Sequence, residues 1–179
     1  MDGMEIKIED PEDRYPGETG QLLVRGPWLM MGFYKRPEAL EERMRDSWYV
    51  TGDLARIDDD GYVVITGREE DIIIRGGENV PVDVIEDLLY DHPKIDEAAV
   101  VAMPDDRLGE RACAFVTVVA GETFTMKDLV DYLEDQDLTK QYFPEQMQLV
   151  DELPKTSLGK IDRLLLREQI ADILGKDPV

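Results

Sequence analysis

The chain has 179 residues, 42% of them hydrophobic, which is enough for one ordinary domain or two small ones. Its 41 acidic and 20 basic residues give a formal net charge of -21, a balance that disfavours nucleic acid and anionic membrane surfaces as partners. No apolar run approaches the roughly 18 residues that a membrane-spanning helix needs, and the N-terminal stretch MDGMEIKIED is acidic, so we expect neither a membrane span nor export.

The single cysteine and the single histidine limit the chemistry further. Cys113 lies in the apolar run ACAFVTVV, which favours a small buried hydrophobe over a nucleophile. One cysteine also excludes an internal disulfide framework and fits a cytoplasmic protein. His92, in DHPKIDE, is typical of a loop residue rather than a general base, and no second histidine or cysteine cluster is present to build a transition-metal site, so we expect no bound metal of that kind.

Residues 1–67 predict a small β-rich unit. The strand-like runs are MEIKIE, QLLVRG, WYVTGDLARI and YVVITG, and turn signals in PEDRYPGETG and DDDG separate them. Between the second and third runs, PEALEERMRD places Pro37 near a helix start and charges at helical spacing. We therefore expect one short exposed helix there.

Residues 68–179 predict a compact α+β domain with an antiparallel sheet and flanking helices. IIIR, EAAVVAM and ACAFVTVV have the composition of strands, and Thr125 and Asp128 stand at capping-box spacing before a helix. Helices are expected in PVDVIEDLLY, TMKDLVDYLEDQ and DRLLLREQIADIL. Their expected buried faces are Val82, Ile85 and Leu88 or Leu89, then Leu129, Val130 and Leu133, and then Leu166, Ile170 and Ile173.

The stretch LPKTSLGK ends in a Gly-Lys pair, a combination often found at phosphate sites. A Walker A loop would need a glycine five places before Gly159 and a hydroxyl after Lys160, but Pro154 and Ile161 stand there. The stretch is therefore not a P-loop. It still presents Lys160 on a mobile, glycine-flanked tip, which suggests an anionic ligand, although a solvated lysine in a β-turn fits the same pattern.

Four stretches in fixed order resemble the C-terminal motifs of the adenylate-forming enzymes. They are GQLLVRGPWLMMGFY, YVTGD, GREEDIIIRGGENVPVDVIE and LPKTSLGKIDR, and HPKIDEAAVVAMPDDRLGE also falls where that family has a similar phrase. The family includes AMP-forming acyl- and aryl-CoA synthetases, peptide-synthetase adenylation domains and luciferases. The resemblance covers nearly the whole chain. It implies that the chain corresponds to the C-terminal portion of such an enzyme, namely the last β-rich part of the large domain followed by the small mobile domain.

The resemblance implies roles for three residues in adenylation. Lys160 would be the catalytic lysine that reduces repulsion as a carboxylate attacks the α-phosphate of ATP. Asp53 would bind the ribose hydroxyls, and Arg68 would be the arginine at the domain junction that also reaches the nucleotide. From the residues alone, Asp53 could equally be an ordinary Gly-Asp turn and Arg68 a surface cation.

Further positions correspond to the family's hinge and to its thiol channel. Glu70 falls at the hinge, where relatives usually carry aspartate or lysine, and Asp71 could take the same role. Gly76 and Gly77 match the loop that lines the pantetheine tunnel, although a hairpin that needs positive φ would explain both glycines. Asn79 is assigned no ligand role.

The resemblance also implies substrates and an additional domain. The full-length enzyme would use ATP, Mg²⁺ and CoA to activate a small-molecule carboxylate substrate. Its N-terminal domain would precede residue 1. The fragment alone is expected to be inactive. Two alternatives stay open: delivery to the phosphopantetheine of a carrier protein, and a non-catalytic interaction domain.

Overall fold

A computed structural model describes residues 3–9 and 19–179, and it divides the chain into two compact units between Glu70 and Asp71. The boundary expected from the sequence lies three residues earlier, after residue 67. The predicted turn segment PEDRYPGETG falls mostly on residues 10–18, outside the described ranges.

The first unit contains an antiparallel sheet. Its strands in the described residues are β1 (Glu5–Glu9), β2 (Gly20–Arg25), β3 (Met44–Arg45), β4 (Trp48–Ile57) and β5 (Val63–Arg68). The strand order there is β1-β2-β4-β3, and β5 also pairs with β4, so β2 and β4 are central. The small core of this sheet includes Leu22, Leu23, Leu54 and Ala55.

The helix predicted in PEALEERMRD is shorter than expected. Helix α1 spans Glu38–Glu41, and the chain then enters β3, which pairs with β4. The turn between these strands uses Asp46 and Ser47 at φ 48° and 71°. Positive φ at two successive residues suits a tight hairpin, and aspartate tolerates that conformation better than most residues. Without a glycine, this hairpin left little signal in the sequence.

The second unit has a mixed sheet covered by three helices. Its elements are β6 (Ile73–Arg75), β7 (Glu78–Val80), α2 (Val82–Tyr90), β8 (Ile95–Asp105), β9 (Gly109–Val118), α3 (Met126–Asp135), β10 (Gln146–Leu149) and α4 (Arg163–Leu174). Within the described residues the strand path is β10-β9-β6-β7, and β8 pairs with β9. All pairs are antiparallel except β10 with β9, which is parallel.

Strands β8 and β9 bury side chains on both faces, because alternate residues point to opposite sides of a sheet. One face packs against α2 and α3 through residues such as Ile85 and Leu129. The other face packs against α4 through Leu166 and Ile170. The α+β architecture predicted from the sequence is confirmed.

Two predictions about the helices have different outcomes. The capping box is confirmed, since the Thr125 side chain accepts from the Asp128 amide and the Asp128 carboxylate accepts from the Thr125 amide. The buried position expected for Ile173 is wrong, because its side chain is 59% exposed. Ala171, next to Ile170, completes the buried face of α4 instead.

Candidate functional site

In the first unit, Asp53 and Arg68 are cross-strand neighbours. They stand opposite each other in the register of β4 and β5, and Arg68 Nε lies 3.4 Å from Asp53 Oδ1. Glu70 completes the group, with Oε1 3.5 Å from the same Nε. The three side chains are 35% to 58% exposed, so this cluster is open to solvent.

The backbone before Asp53 is held by a hydroxyl. Thr51 Oγ1 donates to the Leu22 carbonyl at 2.9 Å and accepts from the Asp53 amide at 3.0 Å. Gly52, between them, has φ of 82°, a conformation that favours glycine. The sequence TGD thus forms a fixed bend that presents the Asp53 carboxylate on β4.

In the second unit, Gly76 and Gly77 form the turn of the β6–β7 hairpin. Their φ values are 61° and 92°, and Arg75 and Glu78 pair on either side. Gly76 is packed: its amide donates to the Leu108 carbonyl at 2.9 Å, and a Cβ there would lie 3.1 Å from a Leu108 methyl. At Gly77 nothing lies within 4 Å of such a Cβ. Positive φ is therefore needed at both glycines, and only Gly77 faces open space.

Lys160 ends a closed turn that precedes α4. The Thr156 amide donates to the Lys160 carbonyl at 2.7 Å, and the Gly159 amide donates to the Thr156 carbonyl at 2.9 Å. Lys155 and Ile161 form an isolated antiparallel bridge at the base of this turn. Gly159, at φ of 78°, allows the reversal. The Lys160 side chain consequently projects from a short hairpin held by its own backbone.

The ammonium of Lys160 has no partner within residues 3–9 and 19–179. Lys155, five residues earlier, instead lies 2.8 Å from Glu97, and this hydrogen bond raises the pKa of Lys155. Every other lysine in the described ranges meets a carboxylate or an aromatic ring. In a chain of net charge -21, an unpaired lysine on a turn is free to bind an external anion.

A second charged cluster lies at the start of α4. Arg163 donates from Nη1 to Glu86 Oε1 at 2.7 Å and from Nη2 to Glu86 Oε2 at 2.6 Å. Asp71 lies 3.5 Å from Arg163 Nε and 3.4 Å from Arg167 Nη1. All four side chains are less than 25% exposed. From the sequence, Asp71 is predicted only as an alternative hinge residue, and its contacts with Arg163 and Arg167 are not predicted.

His92 and Cys113 lie apart from these groups. His92 follows α2, contacts the rings of Phe124 and Tyr132 edge-on, and accepts from the Lys94 amide through Nδ1 at 3.2 Å. Burial, followed by the charge of Lys94, lowers the His92 pKa. Cys113 is fully buried, and burial raises its thiol pKa to about 12. Both residues pack in the core or at its margin.

The structure thus gathers the predicted site residues into three places. Asp53, Arg68 and Glu70 share one cluster in the first unit. The glycine pair and Lys160 occupy separate loops of the second unit. Within the described ranges, no group of three or more His, Cys, Asp or Glu residues is arranged to hold a metal ion, and no helix there is both long and apolar enough to cross a bilayer.

Comparison with known proteins finds relatives along nearly the whole chain. Residues 84–160 match the AMP-binding enzyme C-terminal domain. The medium-chain fatty-acid–CoA ligase of Escherichia coli is 42% identical over 98% of this chain, and the 2,3-dihydroxybenzoate-AMP ligase of Bacillus subtilis is 39% identical over 95%. The ATP-bound crystal structure of MatB from Rhodopseudomonas palustris superposes with a TM-score of 0.84 at 34% identity, over 96% of this chain and 35% of MatB. The chain spans about a third of the length of the two curated relatives, 32% of each.

Proposed function

Since the chain belongs to the adenylate-forming enzymes and corresponds to their C-terminal portion, we propose that it serves an AMP-forming acyl- or aryl-CoA ligase by supplying the lysine for adenylation. In that reaction a carboxylate oxygen attacks the α-phosphorus of ATP, and pyrophosphate leaves. A thiol then attacks the acyl carbon and displaces AMP. The observation that carries the proposal is Lys160, exposed on a closed turn and without an anionic partner in the described residues.

The proposed role of Lys160 follows from charge. A carboxylate and a triphosphate repel each other, and negative charge grows on the phosphate oxygens during attack. An ammonium placed there stabilises the transition state, and loss of one such group typically costs about 100- to 1,000-fold in rate. The turn supports this role because its hydrogen bonds are internal, so binding an anion would break none of them.

Asp53 and Arg68 are proposed to bind the nucleotide from the first unit. The Asp53 carboxylate accepts hydrogen bonds, as two ribose hydroxyls would require, and its contact with Arg68 is a single long one of 3.4 Å. An exposed ion pair of this kind contributes little to stability and is readily exchanged for a ligand. Glu70, two residues after Arg68, is proposed as the hinge.

The Gly76–Gly77 turn is proposed to admit the thiol arm of CoA. Its support is the open space at Gly77, where backbone and ligand could approach closely. A carrier-protein phosphopantetheine has the same arm, and it is the alternative acceptor. The chain is 42% identical to a CoA ligase and 39% identical to an aryl-AMP ligase, so identity does not favour one acceptor, and both need to be assayed.

Mg²⁺, the N-terminal domain and the cytoplasmic location remain parts of the proposal. Within the described residues no group of His, Cys, Asp or Glu side chains fits a metal site, so any Mg²⁺ would be held by groups outside them. The chain spans about a third of the relatives' length. We propose that the large domain, which would bind the carboxylate substrate, corresponds to the other two thirds.

A chimera tests the division of labour between Lys160 and Gly77. This chain would replace the matching segment of the E. coli medium-chain fatty-acid–CoA ligase. Single-turnover assays would follow adenylate formation from ATP and, separately, thioester formation from supplied acyl adenylate with CoA or a carrier protein. Lys160→Ala should slow adenylation about 100-fold or more and leave thiol attack nearly unchanged. Gly77→Trp should do the reverse.

Lys176→Ala is the matched control, because Lys176 also flanks α4 but pairs with Asp106. It should leave both rates near those of the parent chimera. A folded chimera that binds ATP but forms no adenylate would contradict the proposal and favour an interaction domain. Equal losses in both assays for Lys160→Ala would make the lysine a general organiser of the site.

A further inference from the structure

We propose that Arg163 is a positioning residue, which fixes the turn carrying Lys160 against strand β8. The inference rests on the function proposed above, because it concerns how Lys160 is held for that reaction. Arg163 itself lies three residues beyond Lys160, and its guanidinium is directed to other parts of the second unit.

The guanidinium joins α4 to two other elements at once. Both terminal nitrogens bind the Glu86 carboxylate of α2, and Nη1 also donates to the Val100 carbonyl of β8 at 3.1 Å. Glu86 Oε1 in turn accepts from the Val100 amide at 2.7 Å. One arginine and one carboxylate therefore satisfy both polar groups of the Val100 backbone. These hydrogen bonds fix the position of the start of α4 along β8.

This contact is well suited to fix a geometry. A bidentate arginine–carboxylate pair restrains orientation as well as distance, which a lysine cannot do. Arg163 is only 24% exposed and Glu86 only 12%, so water competes weakly for either group. Burial alone would lower the Arg163 pKa, but the hydrogen bond and charge of Glu86 outweigh it and the pKa is raised.

The path from Arg163 back to Lys160 is short and restrained. Asp162, between Ile161 and Arg163, caps α4 by accepting from the Leu165 amide, and its own amide donates to the Pro154 carbonyl at 2.8 Å. On the other side of the turn, Lys155 is tied to Glu97 of β8. Both ends of the turn are thus anchored to β8, one through Glu97 and the other through Arg163.

The same arginine contacts the residue that follows the proposed hinge. Asp71 begins the second unit and lies 3.5 Å from Arg163 Nε. Arg167, one turn further along α4, holds the other Asp71 oxygen. If the chain swivels at Glu70, these contacts make the first residue of the second unit and the Lys160 turn move as one body.

Hydrogen exchange on the 179-residue chain tests this inference without any substrate. The amides of Thr156, Gly159 and Asp162 each donate to a carbonyl of the turn or its base, so their exchange reports whether the turn is held. Arg163→Met should speed exchange at these amides about tenfold or more, and Arg163→Lys should restore part of the protection. Lys176→Met, which removes the cation at the other end of α4, should leave them unchanged.

The amides of α3 supply the internal reference, since that helix packs on the opposite face of the sheet. Faster exchange in α3 and in the turn to the same extent would make Arg163 merely structural and overturn the inference, and so would unchanged exchange in the turn. Should Arg163→Met fail to fold, Arg163→Lys against Lys176→Met decides the question by the same amides.

Rates in the chimera separate this inference from the proposed function. Arg163→Lys should slow adenylation at saturating ATP about tenfold and spare thioester formation from supplied adenylate. A parent chimera without adenylation would remove the proposed function, yet the exchange result would stand. An active chimera in which Arg163→Lys changes neither the turn amides nor the adenylation rate would overturn the positioning role alone.

Discussion

The two charged clusters on either side of the Glu70–Asp71 boundary are built in opposite ways. Before it, Arg68 makes single contacts of 3.4 and 3.5 Å with carboxylates that are 35% and 58% exposed. After it, Arg163 makes two parallel contacts of 2.7 and 2.6 Å with a carboxylate that is 12% exposed. Both clusters are built from arginine, aspartate and glutamate, but the second contains an additional arginine, Arg167, and its side chains are more buried.

This difference in burial and contact length suits the two clusters to different proposed roles. An exposed ion pair with long contacts contributes little stability in water and can exchange partners at a small cost in free energy. A buried pair has lost its hydration, so removing one partner leaves an uncompensated charge. The Arg68 cluster is therefore suited to meet a nucleotide, and the Arg163 cluster to hold the second unit together.

The largest expected effect is on stability and falls on the buried cluster. Glu86→Gln should lower the free energy of unfolding of the 179-residue chain by about 3 kcal/mol, because the partly buried Arg163 would lose its bidentate partner and keep only the 3.5 Å contact with Asp71. Asp53→Asn is the matched change in the exposed cluster and should cost less than about 1 kcal/mol. Urea denaturation measures both. Equal losses would erase the distinction between the clusters.

The next largest effect is kinetic and concerns Glu70, which belongs to the exposed Arg68 cluster. Glu70→Pro fixes φ at the proposed hinge, so in the chimera it should slow one half-reaction about tenfold and spare the other. Glu70→Gln removes the charge but leaves φ free, and both half-reactions should persist. If the glutamine and proline variants behave alike, the residue acts through its charge and not as a swivel.

The smallest effect concerns His92, a partly buried histidine. The His92 pKa is lowered from 6.5, so the folded chain favours neutral imidazole and the unfolded chain binds its proton more readily. The contribution of His92 to stability is full above about pH 6.5 and falls as the pH drops towards the lower folded pKa.

Urea denaturation between pH 5 and pH 7.5, on wild type and His92→Gln, would isolate this term as the pH dependence of the difference between the two proteins. Lys94 and Asp128 are the charges that act on His92. The hydrogen bonds with Thr125 lower the pKa of Asp128, so this carboxylate stays ionised across the range. A difference that stays flat across the range would show that the ring titrates alike in both states.

The sequence predicted the elements whose signals are local. Strand β4 was expected at residues 48–57 and is observed there, and the Thr125 capping box follows from a three-residue spacing. Strand β10 was missed, because QMQL is only four residues long and gives a weak local signal. Its pairing with β9 depends on a partner more than thirty residues away, which single-sequence patterns do not reveal.

The candidate site divides in the same way. Lys160, Asp53 and the glycine pair stand in short motifs, so the sequence could nominate them, and their roles remain proposals. The partnership of Arg163 with Glu86 spans 77 residues and depends on how α2 and α4 meet β8. Neither residue lies in a motif that predicts the other, so only the folded chain shows the pair.

The ion pair at Val100 also bears on the behaviour of the protein in concentrated solution. In the described residues β8 pairs with β9 alone, so its other side is an open sheet edge, and open edges invite strand addition from other molecules. The segment AAVVAM would favour such strand addition, because it is apolar and carries no charge. Glu86 and Arg163 occupy the backbone amide and carbonyl of Val100 at its centre, so an added strand would have to displace the same side chains that hold the start of α4.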